Sequence, residues 1–213
     1  MIYVVDTGAN LEELTNIHKI NFVWSPDNDF TDSLSHGTGM IRAIQQVSPE
    51  SEIGVLKILD DQNQTSYENL DACLQWLLIN LRPNDIVLWC FIMPVEDVPE
   101  RTLNLLEQCL DLSTWVVPSG NFSKSTKEYY PAKLCLAKSN TFVIGCLNKS
   151  NKIAKLSNTP ANGYVTGTTQ PVGYENKSKS GTSVSAAYFA GMLDNPQDVY
   201  HNAINEVIQV KKI

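Results

Sequence analysis

The sequence predicts an α/β fold of three layers: a mostly parallel central sheet with helices on both faces. Three observations predict it. Strand-like and helix-like segments alternate along the 213 residues. The run 86–93 is apolar on both faces, as a central strand of a parallel sheet must be. Residues 66–81 form an amphipathic helix, with Leu70, Cys73, Leu74, Leu77, Leu78 and Leu81 on one face.

The elements follow in order. Residues 2–5 are a short apolar strand ending at Asp6-Thr7-Gly8, and 20–24 are a second. Residues 37–47 carry apolar side chains at helical spacing and stop at Ser48-Pro49. A buried strand is expected at 53–59. The helix over 66–81 has Ser66 as its cap and ends at Arg82-Pro83. After the strand 86–93 come a helix at 101–110 and strands at 114–117 and 141–146. The stretch 148–180 is rich in Asn, Ser, Thr and Gly, which predicts loops and short hairpins. Helices are expected at 181–193 and 199–210, separated by Asn195-Pro196. No linker, repeat or low-complexity tract divides the chain, so residues 1–213 read as one domain.

Composition narrows the function. Apolar residues make up 43% and charged residues 18%, ordinary for a globular protein. A net charge of −7 argues against a nucleic-acid partner, which needs a basic face. No apolar run approaches membrane-spanning length. The opening MIYVVDTGA lacks the positive region of a signal peptide. Five scattered cysteines without a CxxC pair read as free, buried thiols in a reducing, cytoplasmic setting, and no Cys/His spacing suits a metal. Sequons at Asn63, Asn121, Asn148 and Asn176 carry no meaning in that compartment.

In open parallel sheets, ligands bind at the carboxyl ends of strands. The first strand delivers Asp6 there. His36 opens the helix after it, within SHGTGM, where small residues permit a close backbone approach. The strand 114–117 runs into Pro118-Ser119-Gly120-Asn121. Ser183 sits in SGTSVSAA at the start of a helix. Each residue alone is a weak signal, but the set has a chemical logic. A serine hydroxyl needs a base to take its proton, and neutral imidazole can serve. A carboxylate on the other ring nitrogen fixes the tautomer. An amide N–H can hydrogen-bond an oxyanion, and the free backbone N–H of Ser183 offers a second donor.

In this order the residues resemble the subtilisin-like serine protease family, whose chain order is Asp, His, Ser. VVDTGA is similar to its Asp block, SHGTGM to its His block and VLKILD to the strand that follows. PSGN is similar to the oxyanion-asparagine block, YPAK and FVIGCLN to the segments after it, and SGTSVSAAYFAG to the Ser block. The likeness spans roughly residues 1 to 193. It implies a three-layer subtilisin-like fold and a serine endopeptidase acting on protein or peptide substrates through an acyl-enzyme. It further implies Ser183 as nucleophile, His36 as general base and acid, Asp6 as orienting carboxylate and Asn121 in the oxyanion hole. Trp89, Cys90, Phe91, Ile92, Ser119, Gly120 and Thr182 would contact substrate. No cofactor or metal is implied.

The chain departs from the family in several places. Gly39 stands where a second histidine is usual, and Ala187-Tyr188 where Pro-His is usual. The substrate strand reads Cys90-Phe91-Ile92-Met93 instead of Ser-Leu-Gly-Gly, so Ile92 and Met93 should narrow or reshape the pocket before the scissile bond. The chain starts at the Asp strand, which suggests folding without a pro-segment, or with a regulatory or inhibitory protein partner that supplies one. Three alternatives to a peptidase stay open: a pseudoprotease that binds peptides through its edge strand, a serine esterase or amidase, and, remotely, a nucleotide-binding α/β protein.

Overall fold

Side chains along a strand alternate between the two faces of its sheet, so a strand apolar at every position needs cover on both. The computed structural model, which describes residues 1–14, 16–167 and 180–195, meets that need. Strand β1 (Ile2–Asp6) is buried throughout. Its Ile2 and Val4 enter one apolar core, its Tyr3 and Val5 the other. The chain continues through β2 (Ile20–Trp24), α1 (His36–Val47), β3 (Ile53–Lys57), α2 (Tyr67–Asn80), β4 (Ile86–Trp89) and β5 (Met93–Pro94). Then follow α3 (Glu100–Leu110), β6 (Thr114–Pro118), β7 (Tyr129–Tyr130), α4 (Ala132–Cys135), β8 (Thr141–Leu147), β9 (Gly163–Thr166) and α5 (Thr182–Asp194).

Seven strands form one sheet in the order β2-β3-β1-β4-β6-β8-β9, and every pairing is parallel. Helices α1 and α5 cover one face, with Met40, Ile41, Ile44, Val184, Ala187 and Phe189 in its core. Helices α2 and α3 cover the other through Leu70, Leu74, Leu77, Leu106 and Leu110. Ser66 caps α2 as expected, its hydroxyl accepting from the Asn69 N–H at 3.2 Å. The sheet order reverses between β1 and β4, since β3 lies on one side of β1 and β4 on the other. That switch point opens a crevice at the carboxyl ends of the strands.

Two elements differ from the sequence expectation. The apolar run 86–93 is not one strand. β4 leaves the sheet after Trp89, and Met93–Pro94 pairs antiparallel with Tyr129–Tyr130 in a separate ladder. Pro94 lacks an N–H and suits such a two-stranded edge. Within the polar stretch 148–180, residues Gly163–Thr166 form the edge strand β9, parallel to β8. The helix expected at 199–210, and residues 168–179 of the expected loop region, lie outside the described residues. No helix among the described residues is long and apolar enough to cross a membrane.

Candidate active site

Asp6 ends β1 at the switch point, wholly buried. Burial alone would push its carboxyl up. The His36 charge, hydrogen bonds from His36 and Cys90, and the Thr7 N–H outweigh burial and hold it below the usual carboxylate range. Both carboxylate oxygens lie 2.8 Å from His36 Nδ1, and Oδ1 also accepts from the Thr7 N–H at 2.7 Å. An anion on Nδ1 selects the tautomer that carries the proton there and leaves Nε2 as the basic nitrogen.

The start of α1 is held in place by side chains from outside the helix. Ser35, at its cap position, makes no capping bond through its side chain. The Gly37 N–H donates instead to Thr7 Oγ1 at 3.0 Å, and the Thr38 N–H to Asp32 Oδ2 at 2.8 Å. The hydroxyls of Thr7 and Thr38 also donate to Asp32, at 2.7 and 2.6 Å. Asp32 is fully buried, and its charge sits at the positive end of the helix dipole. Two orphan donors of the helix start are therefore satisfied by Thr7, directly after Asp6, and by Asp32, just before α1. Gly37 makes this approach close enough. A Cβ there would stand 2.3 Å from the Gly8 carbonyl oxygen.

Ser183 lies in the first turn of α5, half-buried, and donates to the Cys90 carbonyl oxygen at 3.3 Å. Gly181 precedes the helix at φ 135°, ψ −178°, a conformation open essentially to glycine alone. Asn121, after β6, reaches this turn. Its Oδ1 accepts from the Thr182 N–H at 3.0 Å and from Thr182 Oγ1 at 3.1 Å. Two donors on one atom fix it as the oxygen and assign the NH2 group to the other end of the amide. Thr182 Oγ1 in turn accepts from the Gly120 N–H at 3.2 Å, which ties the end of β6 to the start of α5.

These segments enclose a cleft of about 460 Å³ lined by His36, Asn121, Thr182 and Ser183 together with Cys90, Phe91, Ile92 and Gly120. Trp89 and Ser119, also expected to touch substrate, are wholly buried and outside that lining. The Cys90 thiol is held well above its usual range by burial and then by the Asp6 charge, so it stays a neutral neighbour of the carboxylate. All five cysteines are free and buried. Among the described residues no group of three or more His, Cys, Asp or Glu side chains is arranged to hold a metal ion. The sequence reading did not single out Asp32. Its only signal was an aspartate four residues before His36.

No protein-family model matches the chain. A cuticle-degrading serine protease of Orbilia oligospora is 27% identical over 211 residues, covering 90% of this chain and 48% of that protein. A cuticle-degrading serine protease of Arthrobotrys oligospora is 26% identical over 211 residues, covering 90% of this chain and 50% of the relative. The chain thus spans about half the length of these curated relatives. The crystal structure of a cold adapted subtilisin-like serine proteinase superposes with a TM-score of 0.75 at 18% identity, covering 91% of this chain and 75% of that one. The fold is therefore subtilisin-like.

Proposed function

We propose that the chain is a serine endopeptidase that cleaves protein or peptide substrates through an acyl-enzyme. The observation that carries this reading is the Asp6 carboxylate held against His36 Nδ1 at 2.8 Å, in a cleft that His36 shares with Ser183 and Asn121. Ser183 Oγ attacks the scissile carbonyl while His36 takes its proton. The negative charge that develops on the carbonyl oxygen is met by the Asn121 NH2 group, already oriented by Thr182, and by the backbone N–H of Ser183 at the helix start. His36 then gives its proton to the leaving amine. Water enters, His36 acts as base again, and Ser183 is released. Asp6 stays ionised throughout and stabilises the imidazolium. The five free cysteines support a reducing, cytoplasmic setting for this enzyme.

The test is turnover of a mixed peptide and ester library by the wild type and by Ser183→Ala. Peptide hydrolysis lost in the variant is expected. Ester turnover alone would make the chain an esterase. Peptide binding with no turnover would make it a pseudoprotease.

A further inference from the structure

Beyond Ser183 the cleft is walled by two segments: Cys90, Phe91 and Ile92, which follow β4, and Pro118, Gly120 and Phe122, at and after the end of β6. Given the proposed reaction, on which this inference rests, the amine half of the substrate must lie toward His36, which protonates it. The acyl half then points away from the imidazole, and the side chain of the residue before the scissile bond enters the slot between these walls.

That slot is already occupied. The Ile92 Cδ1 methyl stands 2.6 Å from where a Cβ on Gly120 would be, so it rests on the bare face of the glycine. Met93, the other bulky departure in this segment, plays no part. It is buried in the core beside Trp89 and pairs with Tyr130. The narrowing expected from both residues therefore falls to Ile92 alone.

The Gly120 wall has little freedom to retreat. Asn158 is fully buried beside it, against the same face of Gly120 that Ile92 touches. Its N–H donates to the Gly120 carbonyl at 2.9 Å, and its Oδ1 accepts from the N–H groups of Phe122 and Lys124, each at 3.0 Å. Asn158 Nδ2 presses on the same glycine, 2.4 Å from the same virtual Cβ. A wall fixed at three backbone points cannot make room for an aromatic ring while Ile92 stays in place.

We infer that Ile92 is a specificity-determining residue that closes this slot, so that the enzyme cleaves after Gly, Ala or Ser and rejects Phe, Tyr and Leu at the same position. Peptidyl p-nitroanilides identical but for Ala or Phe before the scissile bond provide the test. The wild type should favour Ala over Phe by about tenfold or more in kcat/KM. Ile92→Ala should shift that ratio toward Phe by about tenfold or more, with Ile92→Val in between. Comparable wild-type turnover of both substrates, or a ratio unmoved in Ile92→Ala, overturns the inference. If neither substrate is hydrolysed, the peptidase reading fails and the slot is judged by binding. Equilibrium binding of peptides differing only in that Ala or Phe is then measured on Ser183→Ala, with and without Ile92→Ala. Preference for Ala that reverses with Ile92→Ala sustains the slot. Equal affinities, or no binding of either peptide, overturn it.

Discussion

Both carboxylate oxygens of Asp6 stand 2.8 Å from Nδ1 of His36. A carboxylate can accept the Nδ1 proton with either oxygen, whereas a carboxamide presents an NH2 group that turns the imidazole to the wrong tautomer. Asp6→Asn should therefore lower kcat by about 10³–10⁴-fold with little change in the near-UV spectrum of the folded protein. A loss under about tenfold would show that the pair does not orient the base.

Asn121 is the clearest case of a polar side chain oriented before substrate arrives, because Thr182 occupies its oxygen twice. Asn121→Ala should lower kcat by roughly 10²–10³-fold, the scale known for one such donor in a subtilisin, and leave KM nearly unchanged. Steady-state kinetics on one peptide substrate decide this. A change mainly in KM would place Asn121 in ground-state binding instead.

Asp32 carries no proposed chemistry, yet four bonds from Thr7 and Thr38 and their neighbours converge on the junction it holds. Asp32→Ala leaves the Thr38 N–H and hydroxyl buried without their acceptor. Urea unfolding should show a loss of about 2–4 kcal/mol. The surviving folded enzyme should also have a lower kcat, because the start of α1 sets the position of His36. A stability change below about 1 kcal/mol would mean that water or a neighbour replaces the carboxylate.

The lowered Asp6 carboxyl ties stability to pH. A carboxyl that binds its proton more weakly in the folded state than in the unfolded chain favours folding above the ordinary carboxylate range, near pH 4. That contribution fades as pH falls through the lower folded value. The melting temperature of the wild type should drop more steeply below about pH 4 than that of Asp6→Asn. Parallel profiles would contradict the assignment.

Much of this architecture is legible in the residues themselves. The helix α2 announces itself through the spacing of Leu70, Leu74 and Leu77 and the cap at Ser66, because period and capping chemistry are both local. Asp6, His36, Asn121 and Ser183 are found by asking which polar groups fall at strand ends and helix starts. The end of β4 is not legible. A run apolar at every position carries no period, so nothing in 86–93 marks where the chain leaves one sheet and joins another ladder. Strand β9 is hidden for a related reason: only Tyr164 and Val165 are apolar in a polar tract, and its pairing with β8 is tertiary. The burial of Trp89, and the roles of Asp32 and Asn158, depend on contacts far along the chain that no local pattern encodes.

The most direct measurement is the reaction of the chain with a fluorophosphonate, followed by mass spectrometry of its peptides. One phosphonyl group per chain, bonded to Ser183 Oγ, is expected. Its rate of formation should fall by about a hundredfold or more in His36→Ala, since the hydroxyl then has no base. A wild-type chain that takes no label, or takes it at another residue, or a His36→Ala chain that labels as fast, would contradict an activated serine at this site.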